Sequence, residues 1–156
     1  MQDLFILWKG KKLSVAELDE YLKAYDLILP ESFKNFLITY NGCSVRKNVF
    51  KQKYTIASML PLKKLHGASI EFILDGYDVD LNTRHLFPFA IDHRNQVYIL
   101  PLIGAKAGQV WLDQGEQAER FEFIAASFEE FVNGLVESGP QSTTQPDWSW
   151  QAGPQE

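Results

Sequence analysis

Residues 29–42 read LPESFKNFLITYNG, and this stretch decides the fold. Pro30 suits a first helical turn, where its missing N–H would have had no partner. Phe33, Phe36, Leu37 and Tyr40 recur at i, i+3, i+4 and i+7, one apolar face of a helical period. Asn41 and Gly42 tolerate a left-handed backbone and supply the stop. The aromatic face reads as core, because large apolar side chains at this spacing are mostly buried.

On the N-terminal side, Ser14 and Glu17 form a capping box. Val15, Leu18, Tyr21, Leu22 and Tyr25 follow as a stripe, so residues 15–25 make the first helix. Beyond Gly42, residues 46–53 are rich in Lys and Asn and read as an exposed loop. Residues 54–60 read as a strand stopped by Pro61. Residues 62–74 have a weak pattern compatible with a short helix, and residues 75–84 read as a loop.

Residues 86–91 and 96–102 read as strands flanking the polar turn at 92–95, a hairpin. Residues 104–108 turn the chain into 109–113, where Val110 and Leu112 alternate with Trp111. A turn at Gln114 and Gly115 leads to residues 120–124, with Phe121 and Phe123 on one face. Turns this short favour an antiparallel meander over crossovers. Pro101 has no N–H to donate, so its strand frays there or lies at an edge. A second capping box, Ser127 with Glu130, opens a helix striped by Phe128, Phe131, Val132 and Leu135. Gly134 within it costs about 1 kcal/mol relative to Ala, which points to close packing. The fold class is α+β: two N-terminal helices, a central, mainly antiparallel meander sheet, and a C-terminal helix packed on it.

The chain has 156 residues, 46% of them hydrophobic and 13% aromatic, enough for one domain with a sizeable core. Residues 1–138 read as that single domain. Residues 139–156 turn to Pro, Gln, Ser, Thr and Gly, the composition of a tail, in which Trp148 and Trp150 are residues able to dock on the body. One cysteine, Cys43, excludes an internal disulfide and suits a reducing cytoplasm. The apolar run at residues 4–8 is too short for a membrane span and lacks the flanks of a signal peptide.

The net charge of −5 conceals an asymmetry. Residues 1–65 hold 11 basic and 6 acidic side chains; residues 66–156 hold 4 and 14. Charge separation of this kind speaks to partners rather than to fold, although two differently solvated faces would look the same.

Catalysis finds little support. A thiol needs a nearby base or positive potential to react, and Cys43 is distant in sequence from His66, His85 and His93. Asp75, Asp78 and Asp80 fail the spacing of a calcium loop and lack its bidentate Glu, so no metal or other cofactor is expected. Two helices joined by a short connection resemble a helix-turn-helix. The second, however, offers Lys34 as its only base, against the several that phosphates and base edges require. Nucleic acid is therefore disfavoured, and a basic loop at residues 46–64 remains as the alternative route to nucleic acid or an acidic partner. Protein binding is left, with candidates on the strand-end loops: Asp75, Tyr77, Asp78, Asp80, Asp92, Asp113, Glu116 and Glu119. Trp111 reads as core, with an exposed interface anchor as the alternative.

The motif LPxxFxxFLxxYNG at 29–42, in this order of elements, resembles the SUKH superfamily (the Smi/Knr-type domain). LFPFAID at 86–92 resembles that family's first central strand, GQVWLD at 108–113 a later one, and SFEEF at 127–131 its closing helix. The turn at 93–96, His-Arg-Asn-Gln, departs from the glycines that members often carry there. The resemblance implies a non-enzymatic binding protein. Bacterial members are typically immunity proteins that neutralise polymorphic toxins, often nucleases, and fungal ones act in cell-wall signalling; this chain looks more like the bacterial kind. A nuclease grips phosphates and tends to be basic, so the expected partner is a basic cognate toxin met by the acidic loops.

Overall fold

A computed structural model describes residues 4, 6–9, 12–63, 68–77, 81 and 84–137. The order is β1 (Ile6–Lys9), α1 (Val15–Ala24), α2 (Glu31–Thr39), β2 (Cys43–Val45), β3 (Lys47–Phe50), β4 (Tyr54–Thr55) and β5 (Ser58–Met59). Next come α3 (Ile70–Phe72), continuing as a π-helical turn over Ile73–Tyr77, then β6 (Leu86–Ile91), β7 (Val97–Pro101), β8 (Val110–Asp113) and β9 (Phe121–Ala125). The last elements are α4 (Phe128–Asn133) and β10 (Leu135–Glu137). A seven-stranded sheet runs β1-β2-β5-β6-β7-β8-β9, and a three-stranded one runs β10-β3-β4. The strand pairs are antiparallel throughout.

The first capping box forms in full and the second in part. The Ser14 hydroxyl accepts from Glu17 N–H while the Glu17 carboxylate accepts from Ser14 N–H. Ser127 does the same for Glu130 N–H, but the Glu130 carboxylate reaches one residue further back, to Ala126 N–H. In α2, Pro30 stands just outside the helix at the N-cap, with ψ at 142°, and its carbonyl accepts from Lys34 N–H. Phe33, Phe36 and Leu37 are buried. Phe33 presents its ring edge-on to Phe87, Phe89 and Phe128 at 5.6, 5.7 and 4.9 Å, the preferred aromatic geometry. Phe131 packs on Phe89 and Tyr98, which seats α4 on the sheet.

The helix stop is more constrained than a generic cap. Gly42 has φ +78°, and a Cβ there would lie 2.8 Å from Pro61 Cβ. Asn41 is buried and accepts from Leu62 N–H at 2.8 Å, tying the helix end to the chain that follows β5.

Four readings are corrected. Residues 46–53 form β3 and a tight turn rather than a loop, because β3 pairs with β10 and β4 and needs only Phe50 in the core. Residues 54–60 are two short strands in different sheets, with buried Ile56 between them. Leu135 opens β10 instead of ending the last helix. That helix stops at Gly134, where a Cβ would come 2.6 Å from the Phe50 ring. Pro101 is the final residue of an interior strand, where no further ladder bond is asked of it.

Candidate functional site

The meander places two turns side by side at one end of the large sheet. In the β6–β7 turn the Asp92 carboxylate accepts from the N–H groups of Arg94 and Gln96, both at 2.8 Å, and Asn95 takes a left-handed φ of 63°. This is an Asx turn, in which the side chain replaces a backbone acceptor. In the β8–β9 turn the Asp113 carboxylate accepts from Gly115 N–H and binds Arg120 bidentately at 2.9 and 3.0 Å. Both aspartates are buried, 5% and 6% exposed. They therefore shape the two turns, Asp92 through its Oδ1 and Asp113 through both carboxylate oxygens.

Between these turns and the β3–β4 turn lies an open groove of about 720 Å³, lined among others by Tyr54, His93, Arg94, Glu119, Phe121 and Glu122. Tyr54 donates its hydroxyl to Glu122 at 2.7 Å, and Lys53 lies 3.7 Å from the same carboxylate. Burial first, and then this bond, push the Tyr54 phenol up to about 12. The β3–β4 turn is strained: Lys51 and Gln52 both adopt left-handed φ, 51° and 59°, without being glycine. Trp111 is half-buried, meets Phe123 edge-on at 5.4 Å and carries the Lys106 ammonium 4.5 Å above its ring. Phe123 is 46% exposed. Trp111 thus sits at the rim of an aromatic surface rather than in the core.

The acidic candidates divide. Asp92 and Glu119 line the groove, whereas Asp113 faces a neighbouring hollow with Arg94 and Arg120. Glu116 and Glu119 are exposed on the β8–β9 turn. Asp75 is exposed on the π-helical turn and accepts from the Tyr25 hydroxyl, whose pKa that bond raises to about 12. Tyr77 closes the same turn, its side chain outside the described part; Asp78 and Asp80 lie outside the described residues, as do Lys64, His66, Trp148 and Trp150. The groove residues Tyr54, Arg94, Phe121 and Glu122 escaped the sequence reading. The outward position of Phe121 and Phe123 on an alternating strand was the available signal.

The basic stretch is partly neutralised within the fold. Lys53 pairs with Glu122, Lys63 with Glu71 at 3.7 Å, and Arg46 with Glu137 at 3.9 Å, while Lys51 donates to the Ile124 carbonyl. Cys43 is fully buried in β2, away from any reagent in solvent. Among the described residues no group of three or more His, Cys, Asp or Glu side chains is placed to hold a metal ion. None of their helices is long and apolar enough to cross a membrane.

A model of the SMI1 / KNR4 family (SUKH-1) matches residues 12–134, nearly the whole of the described fold from α1 to α4. No curated protein matches the chain.

Proposed function

This chain belongs to the SMI1 / KNR4 family (SUKH-1), and on that premise we propose that it is a non-enzymatic immunity protein that binds and neutralises a cognate, nuclease-type toxin. The observation that carries the reading is the extent of the family match, which spans the elements that build the groove and both turns. A toxin that grips phosphates carries a basic surface, and an inhibitor facing it with carboxylates gains association rate and specificity. Asp75, Glu116 and Glu119 are exposed carboxylates available for that purpose, and Tyr77, Asp78 and Asp80 are proposed as further contact residues. Asp92 and Asp113 act indirectly, by fixing the turns. Residues 1–138 serve as the binding domain, residues 139–156 as its tail, and the cytoplasm, where a nuclease reaches its substrate, as the place of action.

Co-expression with a candidate nuclease toxin, sought first among the products of neighbouring genes, tests the reading. Restored growth and a co-purifying complex are the expected outcome. A toxin that still kills, with no complex recovered, would overturn it.

A further inference from the structure

At the β9 end of the large sheet, one face gathers three aromatic rings and three cations. Residues two apart on a strand share a face, so Phe121 and Phe123 lie together. Trp111, directly opposite Phe123, meets it edge-on at 5.4 Å, and Phe123 is 46% exposed. Lys106 lies 4.5 Å from the centre of the Trp111 ring, and Arg120 and Arg84 lie 4.7 and 5.8 Å from that of Phe121. The carboxylate on this face, Asp113, is buried and bound to Arg120. Glu122 points to the opposite face, where it holds the Tyr54 hydroxyl and Lys53. Lys106 is exposed and pairs with no carboxylate among the described residues. The connection that carries it, residues 102–109, has no acidic residue and leaves Ile103 60% exposed.

A surface of this chemistry suits a segment that is aromatic and acidic at once, since rings pack edge-on against rings and a carboxylate answers the unpaired ammonium. The chain itself contains such a segment. Residues 139–156 have Asp147 and Glu156, no basic residue, and Trp148 and Trp150 as their only large apolar side chains. Asp147, Trp148 and Trp150 stand together, and in an extended chain the two indoles project from one side. We propose that residues 147–150 dock on this face of the same chain, with the indoles against Phe123 and Trp111 and the Asp147 carboxylate at the Lys106 ammonium. Because Trp111, Phe121 and Phe123 also line the groove, the docked segment covers its aromatic wall, and a partner that reaches that wall must displace it.

The chain is long enough to return. Glu137, the last residue of β10, pairs with Lys47, and β3 rises about 10 Å from there to Phe50. The next residue, Lys51, donates to the Ile124 carbonyl at 3.4 Å, one residue from Phe123. Asp147 follows Glu137 by ten residues, which span about 33 Å when extended. A tether of this length holds the segment near the face at an effective concentration on the order of millimolar, so a weak contact suffices. A single-stranded nucleic acid is also aromatic and anionic, but the net charge of −5 opposes a polyanion. Docking of the tail is independent of the immunity reading and needs no toxin.

Two-dimensional NMR of the full chain tests this. Replacing Trp148 and Trp150 by Ala together should shift the Phe123 amide and Trp111 indole N–H signals. A capped peptide of residues 145–152, added to that double variant, should return both signals toward their original positions. The peptide should bind the double variant at least about tenfold more tightly than the unaltered chain, whose own tail competes for the face. Lys106→Gln, at an exposed side chain, should weaken the peptide several-fold in the double variant, and a peptide with Asp147→Lys should bind as weakly. Signals unmoved by the double substitution, or equal peptide affinity for both chains, would overturn the docking. Shifts in the unaltered chain that fade on dilution would place the tail on a second copy and overturn it as well. Oligothymidine that binds the double variant as tightly as the peptide would give the face to nucleic acid, again against the proposal.

Discussion

Replacing Gly42 by Ala should be among the most damaging single-methyl changes in the chain. Gly42 lies at φ +78°, where a residue with a Cβ costs about 1–2 kcal/mol. The new Cβ would meet Pro61 Cβ at 2.8 Å and Pro61 N at 3.1 Å. Pro61 is a rigid, buried ring, so the contact must be relieved by backbone movement, an overpacking cost of about 1–3 kcal/mol. Loss of chain entropy in the unfolded state returns about 0.4–1 kcal/mol. The net loss is about 2–4 kcal/mol, and for a domain of this size that lowers Tm by about 5–15 °C. Gly115→Ala is the matched control, with φ +72° but nothing within 4 Å of the added Cβ, and should cost only about 1 kcal/mol. Urea denaturation followed by far-UV circular dichroism measures both. A Gly42→Ala midpoint indistinguishable from that of Gly115→Ala would refute the close approach of the helix stop to Pro61.

Asp113→Ala should destabilise the fold by about 2–4 kcal/mol in the same assay, since it removes the bidentate partner of the part-buried Arg120 guanidinium and the acceptor of Gly115 N–H; an unchanged midpoint would show the pair to be dispensable. Lysine at both Glu116 and Glu119 should leave stability within about 0.5 kcal/mol yet slow association with the toxin about tenfold at low salt, an effect that added salt erases. Stopped-flow kinetics at two ionic strengths would read it, and identical rates would remove the acidic turn from the interface. Gln52→Gly should raise stability by about 1 kcal/mol by relieving one of two consecutive left-handed residues, and a fall in the urea midpoint would contradict that. Alkaline unfolding should follow the tyrosines. Tyr98 is held above its ordinary range by burial first and then by the Asp92 charge, and Tyr54 sits at about 12. A raised folded pKa gives stability fully present below the ordinary phenol value of about 10 and lost as pH climbs past 12. Loss of circular dichroism already near pH 10 would contradict this order.

The helices were legible because their signals are local. A capping box, a four-residue apolar stripe and a glycine stop lie within one short window, and α1 and α2 follow them to within a residue or two. The meander was legible for the same reason, through its short polar turns. The β3–β4 hairpin was not, because Lys47, Asn48 and Val49 are only half-buried and β3 is held by β10, far along the chain. Leu135 misled because it falls on the helical period by coincidence, while the ring of Phe50 fills the space that Gly134 leaves open. Around the groove, the local roles of two acidic residues were not legible. Asp92 stands four residues before Gln96 and Asp113 two before Gly115, spacings at which a carboxylate caps its own turn before it meets a partner. Glu122 and Phe123 gave no such signal, since what distinguishes them is the absence of a neighbour strand beyond β9 in the described sheet.

The most direct measurement is titration of the purified chain into the reaction of a candidate nuclease toxin, with binding followed in parallel by calorimetry. A partner-neutralising protein should abolish cleavage at a one-to-one ratio and bind with the negative heat-capacity change of buried apolar surface. Full nuclease activity at saturating concentrations of the chain, with no heat of binding, would contradict it.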